Sequence, residues 1–214
     1  MESKKITLLK KSITNDWNKL FPYMGVYKNM WLMNICGPLA VGILLEVKSD
    51  KKSYIPTLHI HNLCQEFPVI SLGISMEMKA IEIDDVNRIY LYTANELKKN
   101  TFIALSGDIV LNELLEQLKV YFYKFKLNPI IVLEYMIYLA AWSGCQNIYY
   151  DVMEFVVENI KNHPDMFRDD EVYREWYQML PKDVNRVNEL RTIVKEQELK
   201  LKTLKLPHRN LIFN

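Results

Sequence analysis

The sequence predicts an α+β fold, in which an N-terminal antiparallel β-meander precedes a C-terminal bundle of four to five helices. Apolar and polar residues alternate with a period of two between residues 39 and 78, and apolar residues recur every three or four positions after residue 108. At 214 residues, the chain is long enough to bury one substantial core. We therefore expect one compact domain with a mostly β half over 1–107, which includes a short N-terminal helix, and a helical half over 108–214.

The clearest β signal is a hairpin of residues 39–48 and 53–61 around the polar turn sequence "SDKK". When the turn closes between Ser49 and Lys52, apolar residues face each other on one side of the sheet, and small residues face histidines on the other. The predicted partners are Val41 with Ile60, Ile43 with Leu58, Gly42 with His59 and Ala40 with His61. A shift by one residue destroys this match, so the pattern predicts a single register.

Two further segments extend this hairpin into a meander. Residues 30–36 are predicted to form a strand before the Gly37-Pro38 bend, and residues 70–78 alternate between apolar and small or polar side chains. Pro56 lacks a backbone N–H, which predicts that its strand lies at an edge of the sheet or carries a bulge.

The segment 79–107 is ambiguous, and two interpretations of it stay open. Its apolar spacing suits a helix that begins near Asp84 or Asp85, because acidic residues are favourable at a helix start. The letters "RIYLYT" within it are equally typical of a strand. The letters "TFIALSGD" at its end indicate a short strand that leads into a turn.

Four helices with apolar stripes or an apolar surface are predicted next. Residues 108–125 carry a stripe of leucine and phenylalanine, and "IIVLEYMIYLAAW" is apolar almost all round, which is typical of a central buried helix. Residues 146–162 and the segment "DDEVYREWYQML" carry further stripes, with Trp176 and either Met179 or Leu180 facing inward. These helices are expected to pack as a bundle or across the apolar face of the sheet.

The last predicted helix, residues 183–206, carries a narrow heptad stripe. Steps of three and four residues alternate along it, which suits packing against one other helix. The heptad stripe consists of Val187, Leu190, Val194, Gln197, Leu201 and Leu204. Two interpretations stay open: the helix docks on the chain's own bundle, or it protrudes and binds a protein partner or a second copy of the chain.

Two histidines on one predicted strand raise the question of a metal site. His59 and His61 share a sheet face, with Cβ atoms roughly 6–7 Å apart from the strand rise, and Cys64 follows in the chain. A catalytic zinc site needs three protein ligands and a structural one needs four. We interpret the pair as half-exposed side chains on the polar sheet face and expect no cofactor. A metal-dependent hydrolase or nuclease that uses His59 and His61, with Cys64 as a third candidate ligand, is the alternative.

The charge pattern bears on possible partners. A formal net charge of +1 argues against a nucleic-acid-binding protein that relies on its overall field. Residues 186–209 nevertheless carry seven bases against three acids, and residues 119–126, "KVYFYKFK", mix lysine with aromatic side chains. Lysines beside aromatic rings are the ingredients of single-strand binding, so a nucleic-acid-associated accessory subunit is a further alternative.

Other features favour a non-catalytic protein. The sequence contains no glycine-rich nucleotide-binding loop, no apolar run long enough to span a membrane, and no N-terminal apolar stretch of signal-peptide length. Three scattered cysteines favour a reducing compartment. We predict a protein–protein interaction subunit of a larger cytoplasmic complex, which contacts its partner through the heptad stripe and does not associate with membranes.

Overall fold

The computed structural model describes residues 2–85, 87–124, 129–162 and 170–213. It confirms the α+β class, because an antiparallel sheet of N-terminal strands is followed by a helical C-terminal half. The chain begins with α1 (Glu2–Leu20), which at 19 residues is longer than the short helix predicted. The strands that follow are β1 (Gly25–Lys28), β2 (Trp31–Cys36), β3 (Leu39–Val47), β4 (Ser53–Asn62), β5 (Ile74–Glu77) and β6 (Ile81–Glu82).

The main sheet has the predicted meander and the predicted register. Its strand order is β1-β2-β3-β4-β5, and β6 also pairs with β4. Val41 lies opposite Ile60 and Gly42 lies opposite His59, so the hairpin of β3 and β4 closes as the hydrophobic pattern requires. The strand predicted over 70–78 is shorter than expected, because within this segment only the four residues of β5 pair with β4.

Pro56 lies in an interior strand, which corrects the prediction of an edge, but the register shifts beside it as in a bulge, because residues 55–56 of β4 face residues 78–80 between β5 and β6. β4 has β3 on one side and both β5 and β6 on the other. The Pro56 carbonyl accepts a hydrogen bond of 2.8 Å from the Met78 N–H, so the Pro56 nitrogen faces the side of β5 and β6. It falls between residues 57–60, which pair with β5, and residues 53–54, which pair with β6. The missing N–H therefore coincides with a gap in the ladder, where no donor is needed.

Both faces of the sheet are buried, which corrects the prediction of a half-exposed polar face. On the apolar face, α1 packs against β4, and Trp17 Nε1 donates to the Tyr54 hydroxyl at 3.1 Å. Leu58 on this face is fully buried. On the other face, His59 and His61 are each 0% exposed. The alternation of apolar and polar residues correctly predicted which side chains share a face. It could not show that other parts of the chain also cover the face with the histidines.

The ambiguous segment 79–107 contains a helix, α2 (Ile89–Asn100). The helical interpretation is confirmed, and Asp85 Oδ2 accepts a hydrogen bond of 2.8 Å from the Tyr90 N–H at its start. The predicted strand over "TFIALSGD" is wrong, because this segment forms a loop. The Thr101 hydroxyl bonds both the N–H and the carbonyl of Ile103, and such local side-chain bonds compete with strand pairing.

The helical half contains the predicted succession of helices. The apolar helix predicted over "IIVLEYMIYLAAW" is buried as expected. At the end of the segment "DDEVYREWYQML", Leu180 is buried and faces inward, whereas Met179 is 69% exposed. The final residue of the predicted 108–125 helix, Phe125, lies outside the described residues. Within the described ranges, no helix is long and apolar enough to cross a membrane. The helices are α3 (Leu111–Lys124), α4 (Pro129–Ser143), α5 (Gln146–Asn162), α6 (Asp170–Met179) and α7 (Val187–Lys200).

The end of the chain forms two short strands that the sequence did not predict. Helix α7 stops at Lys200 rather than at residue 206, and β8 (His208–Arg209) and β9 (Leu211–Ile212) follow it. β8 pairs in parallel with β2, and β9 pairs in parallel with β7 (Ile109–Val110). The tail therefore ties the sheet to the start of the helical half.

We predict that Gly42→Ala destabilises the protein by about 1–3 kcal/mol, the usual cost of overpacking a filled core. A Cβ at this position would overlap His59 Nε2 and would lie 2.8 Å from Met33 Cγ. Urea denaturation of the variant and of the unsubstituted protein measures the difference in unfolding free energy. An unchanged unfolding free energy would contradict the packing of His59 against Gly42.

Candidate functional site

The histidine pair lies inside the protein, and donors of the protein hold both rings. His59 Nε2 accepts a hydrogen bond of 2.7 Å from Trp31 Nε1–H, and His61 Nδ1 accepts one of 3.1 Å from the backbone N–H of Ser71. Each neutral ring therefore carries its proton on the other nitrogen. Burial, with a smaller contribution from His61, lowers the pKa of His59 to about 3, and burial lowers the pKa of His61 to about 4. Both rings are neutral at pH 7.

This arrangement offers little to a metal ion. The lone pair of each imidazole already accepts a hydrogen bond from the protein. Burial also raises the pKa of the Cys64 thiol, which disfavours the thiolate that zinc binds. Across the described ranges, no group of three or more His, Cys, Asp or Glu side chains is placed to hold a metal. The hydrolase or nuclease alternative therefore gains no support from the geometry.

The heptad stripe of α7 is largely occupied within the chain. Gln197 Oε1 accepts a hydrogen bond of 3.1 Å from the Phe67 N–H, so the polar position of the stripe fixes the segment that follows β4. Val187 is half-buried and Leu204 is 53% exposed. The other stripe residues are buried, namely Leu190, Val194, Gln197 and Leu201. A partner that used the whole stripe would have to displace α7, and contact through these residues stays a prediction.

The described part of the lysine and aromatic segment, residues 119–124, is divided between the core and the surface, where Tyr123 is 61% exposed. Tyr121 and Phe122 are buried, and the Tyr121 hydroxyl donates to the Ser75 carbonyl at 2.7 Å. Residues 125 and 126 lie outside the described residues. A second combination of lysines and aromatic rings is found elsewhere in the fold.

That combination lines a groove of about 430 Å³ beside the turn between β1 and β2, which we call the lysine groove. The β1–β2 hairpin, the segment after β4 and the end of α7 each contribute to it. Four lysines line it, and among the described lining residues none is acidic. The lining residues are Tyr27, Lys28, Trp31, Pro68, Val69, Ile70, Lys200, Leu201, Lys202 and Lys205.

A β-bulge places the aromatic part of the lysine groove. Val26 pairs with Leu32 and Lys28 pairs with Trp31, so Tyr27 is an extra residue in β1. A bulge sets two residues of one strand against a single residue of the other and redirects their side chains. The rings of Tyr27 and Trp31 consequently meet edge to face, with centroids 5.3 Å apart. Lys28 Nζ lies 4.9 Å from the Tyr27 centroid and 5.9 Å from that of Trp31.

The polar atom of each ring side chain donates a hydrogen bond to another part of the protein. The Tyr27 hydroxyl donates to the Leu201 carbonyl at 3.0 Å, which joins the hairpin to the end of α7. The Trp31 N–H edge points into the protein toward His59. The two hydrogen bonds restrict the orientation of each ring, and the remainder of each half-buried side chain lines the groove.

The end of α7 supplies the other lysines through a Schellman motif. The Thr203 N–H donates to the Glu198 carbonyl at 2.9 Å, and the Lys202 N–H donates to the Leu199 carbonyl at 3.2 Å. Lys202 has φ 58°, the left-handed conformation that normally selects glycine. Attraction to the negative end of a helix accounts for Lys200, but it does not account for a lysine in this conformation.

The lysine groove has the chemistry of an anion-binding site. Its exposed lysines supply positive charge, and its rings supply flat apolar surface. Comparisons with protein families, curated proteins and solved structures each returned no match. The sequence had pointed to the basic terminal segment, but Tyr27, Lys28 and Trp31 were missed, because a bulge leaves no period in the sequence.

We predict that acid destabilises the protein through its buried histidines. The folded-state pKa values of His59 and His61, about 3 and 4, lie below the ordinary 6.5. The unfolded chain therefore takes up protons first, so their contribution to stability is present above pH 6.5 and decreases as the pH falls. From pH 7 to pH 5 each histidine should cost about 2 kcal/mol.

Urea denaturation at both pH values measures this loss, and His61→Gln isolates one histidine. The variant should lose about 2 kcal/mol less than the unsubstituted protein over the same pH interval. Groups common to both proteins cancel in the comparison. Parallel pH dependences would show that His61 is not held neutral in the folded state.

Proposed function

We propose that the protein is a non-catalytic binding subunit that holds a nucleic acid in the lysine groove. The observation that carries the proposal is the convergence of Lys28, Lys200, Lys202 and Lys205 on one groove that also contains an aromatic pair. Phosphate contacts from lysine supply much of the affinity of proteins for nucleic acids. An acidic peptide would also find positive charge here, but the anchored rings favour a ligand that brings bases as well as phosphates.

The near-neutral chain is compatible with this function because the positive charge is local. The formal net charge is +1, whereas the described lining of the groove carries four lysines and no acid. At physiological ionic strength the Debye length is about 8 Å. A bound phosphate is therefore influenced mainly by the lysines around it and little by distant acids.

We also propose a cytoplasmic location and membership of a larger assembly. Cys36 and Cys64 are free and buried, in keeping with a reducing compartment. A protein partner on the terminal helix would find Leu199 and Leu204, which are 62% and 53% exposed. Leu199 directly precedes Lys200 and Leu204 directly precedes Lys205 in the sequence, so a partner and a nucleic acid would meet the same end of α7.

We predict that replacing Lys200, Lys202 and Lys205 together by glutamine weakens binding of a labelled oligonucleotide by at least about tenfold at low salt. Fluorescence anisotropy across a salt series measures the affinity for the oligonucleotide. Each lost phosphate contact removes about 0.7 from the slope of log K against log salt for a single strand, so the slope should fall by about 2.

The matched control replaces Lys48, Lys52 and Lys195, which are exposed and lie outside the groove. This control changes the net charge equally and should leave binding nearly unchanged. Equal losses in both triple variants would mean that only the overall charge matters. If the unsubstituted protein binds neither oligonucleotide nor inorganic polyphosphate at low salt, the proposed function is wrong. Stronger binding of polyglutamate would assign the groove to an acidic protein segment.

We predict opposite effects of Lys202→Gly on stability and on binding. Glycine relieves the left-handed conformation at φ 58°, so the unfolding free energy should rise by up to about 1 kcal/mol. The same substitution removes one charge from the groove and should weaken oligonucleotide binding. Urea denaturation and anisotropy on the same preparations test both effects. A variant that binds as tightly as the unsubstituted protein would remove Lys202 from the site.

A further inference from the structure

We infer that the ligand of the lysine groove is an unpaired strand, with a base stacked on the Trp31 ring and in contact with the Tyr27 ring. This inference rests on the proposed function and specifies the class of nucleic acid. It follows from the position of the rings, whereas the proposed function follows from the position of the lysines.

The ring pair presents a ring face beside a ring edge. Tyr27 and Trp31 lie edge to face, with an interplanar angle of 86° and centroids 5.3 Å apart. The polar atom of each side chain is already bonded to the protein, to the Leu201 carbonyl and to His59. Neither polar atom is available to read the edge of a base, so the pair can offer a base only its apolar faces and edges. Stacking of this kind tolerates any sequence.

The Lys28 side chain covers part of the ring surface that a base would contact. Its ammonium lies over the Tyr27 ring and near the Trp31 ring, although the residue is exposed. A cation over a ring at an exposed site contributes little free energy. A base can therefore displace the Lys28 side chain from the rings, after which the same ammonium is free to contact the neighbouring phosphate.

The concave shape of the groove selects against a duplex. Trp31 shares the lining of the groove with the segment 68–70 and with the end of α7. A base within a duplex is stacked on its neighbours on both faces, and it must leave that stack before it reaches a ring in a groove. A volume of about 430 Å³ lies within the range of small-ligand pockets, about 300–1,000 Å³. It suits one or two nucleotides and not the width of a double helix.

The decisive experiment compares three probes on the full chain: a labelled oligothymidylate, a duplex of the same length and inorganic polyphosphate. We expect the single strand to bind at least about tenfold more tightly than the duplex. Trp31→Leu should reduce single-strand affinity by about tenfold, within the range of base–aromatic stacking, and leave polyphosphate affinity unchanged. Trp31→Phe is the matched variant, because it retains a ring but loses the hydrogen bond to His59 that orients it, and it should lose less single-strand affinity than Trp31→Leu.

Tryptophan fluorescence gives a second readout. A base stacked on Trp31 should quench emission on titration with oligothymidylate, and the quenching should decrease in Trp31→Phe. Equal or tighter binding of the duplex would overturn the single-strand inference while leaving the proposed function intact. Equal losses of single strand and polyphosphate in Trp31→Leu would show that Trp31 only supports the groove. If the unsubstituted protein binds none of the three probes, the proposed function itself is wrong.

Discussion

The hydrogen bond between Trp31 and His59 joins the fold to the candidate site. It exists only because Gly42 lies opposite His59 and leaves room for the imidazole, since a Cβ there would overlap Nε2. The register of β3 and β4 therefore determines where His59 sits, and His59 determines how the Trp31 ring is turned. A shift of one residue would move the histidines to the apolar face, separate His59 from Gly42 and release the tryptophan.

Two irregularities of the backbone lie at the lysine groove. The bulge at Tyr27 interrupts the pairing of β1 with β2, and the left-handed Lys202 occupies a position that favours glycine. Each has a cost in stability, and residues in unusual conformations tend to cluster at functional sites. The two lie in segments far apart in the sequence and meet because the Tyr27 hydroxyl bonds the Leu201 carbonyl. Their coincidence at one groove supports a selected site over two unrelated defects.

Regular periodicity explains which features were predictable from the sequence. The alternation in β3 and β4 is strong enough to specify every pair of the hairpin, and the apolar stripe of α3 locates that helix. The predicted end of the last helix was too late, because its heptad spacing continues to Leu204 while the backbone turns at Leu201. The tail strands escaped notice because each has only two residues. The groove itself combines a bulge, a helix end and a loop, none of which leaves a period in the sequence.

Under the proposed function, the low net charge of the chain gives the fixed rings their importance. A protein with net charge +1 gains little long-range attraction for a polyanion, so its affinity must come from contacts within the groove. Contacts gain most when the groups that make them lose little freedom on binding. The bonds of Tyr27 to Leu201 and of Trp31 to His59 restrict the rings in advance, whereas the exposed lysines stay adaptable. A fixed aromatic surface beside mobile charges is the arrangement that favours a flexible strand with regularly spaced phosphates and accessible bases.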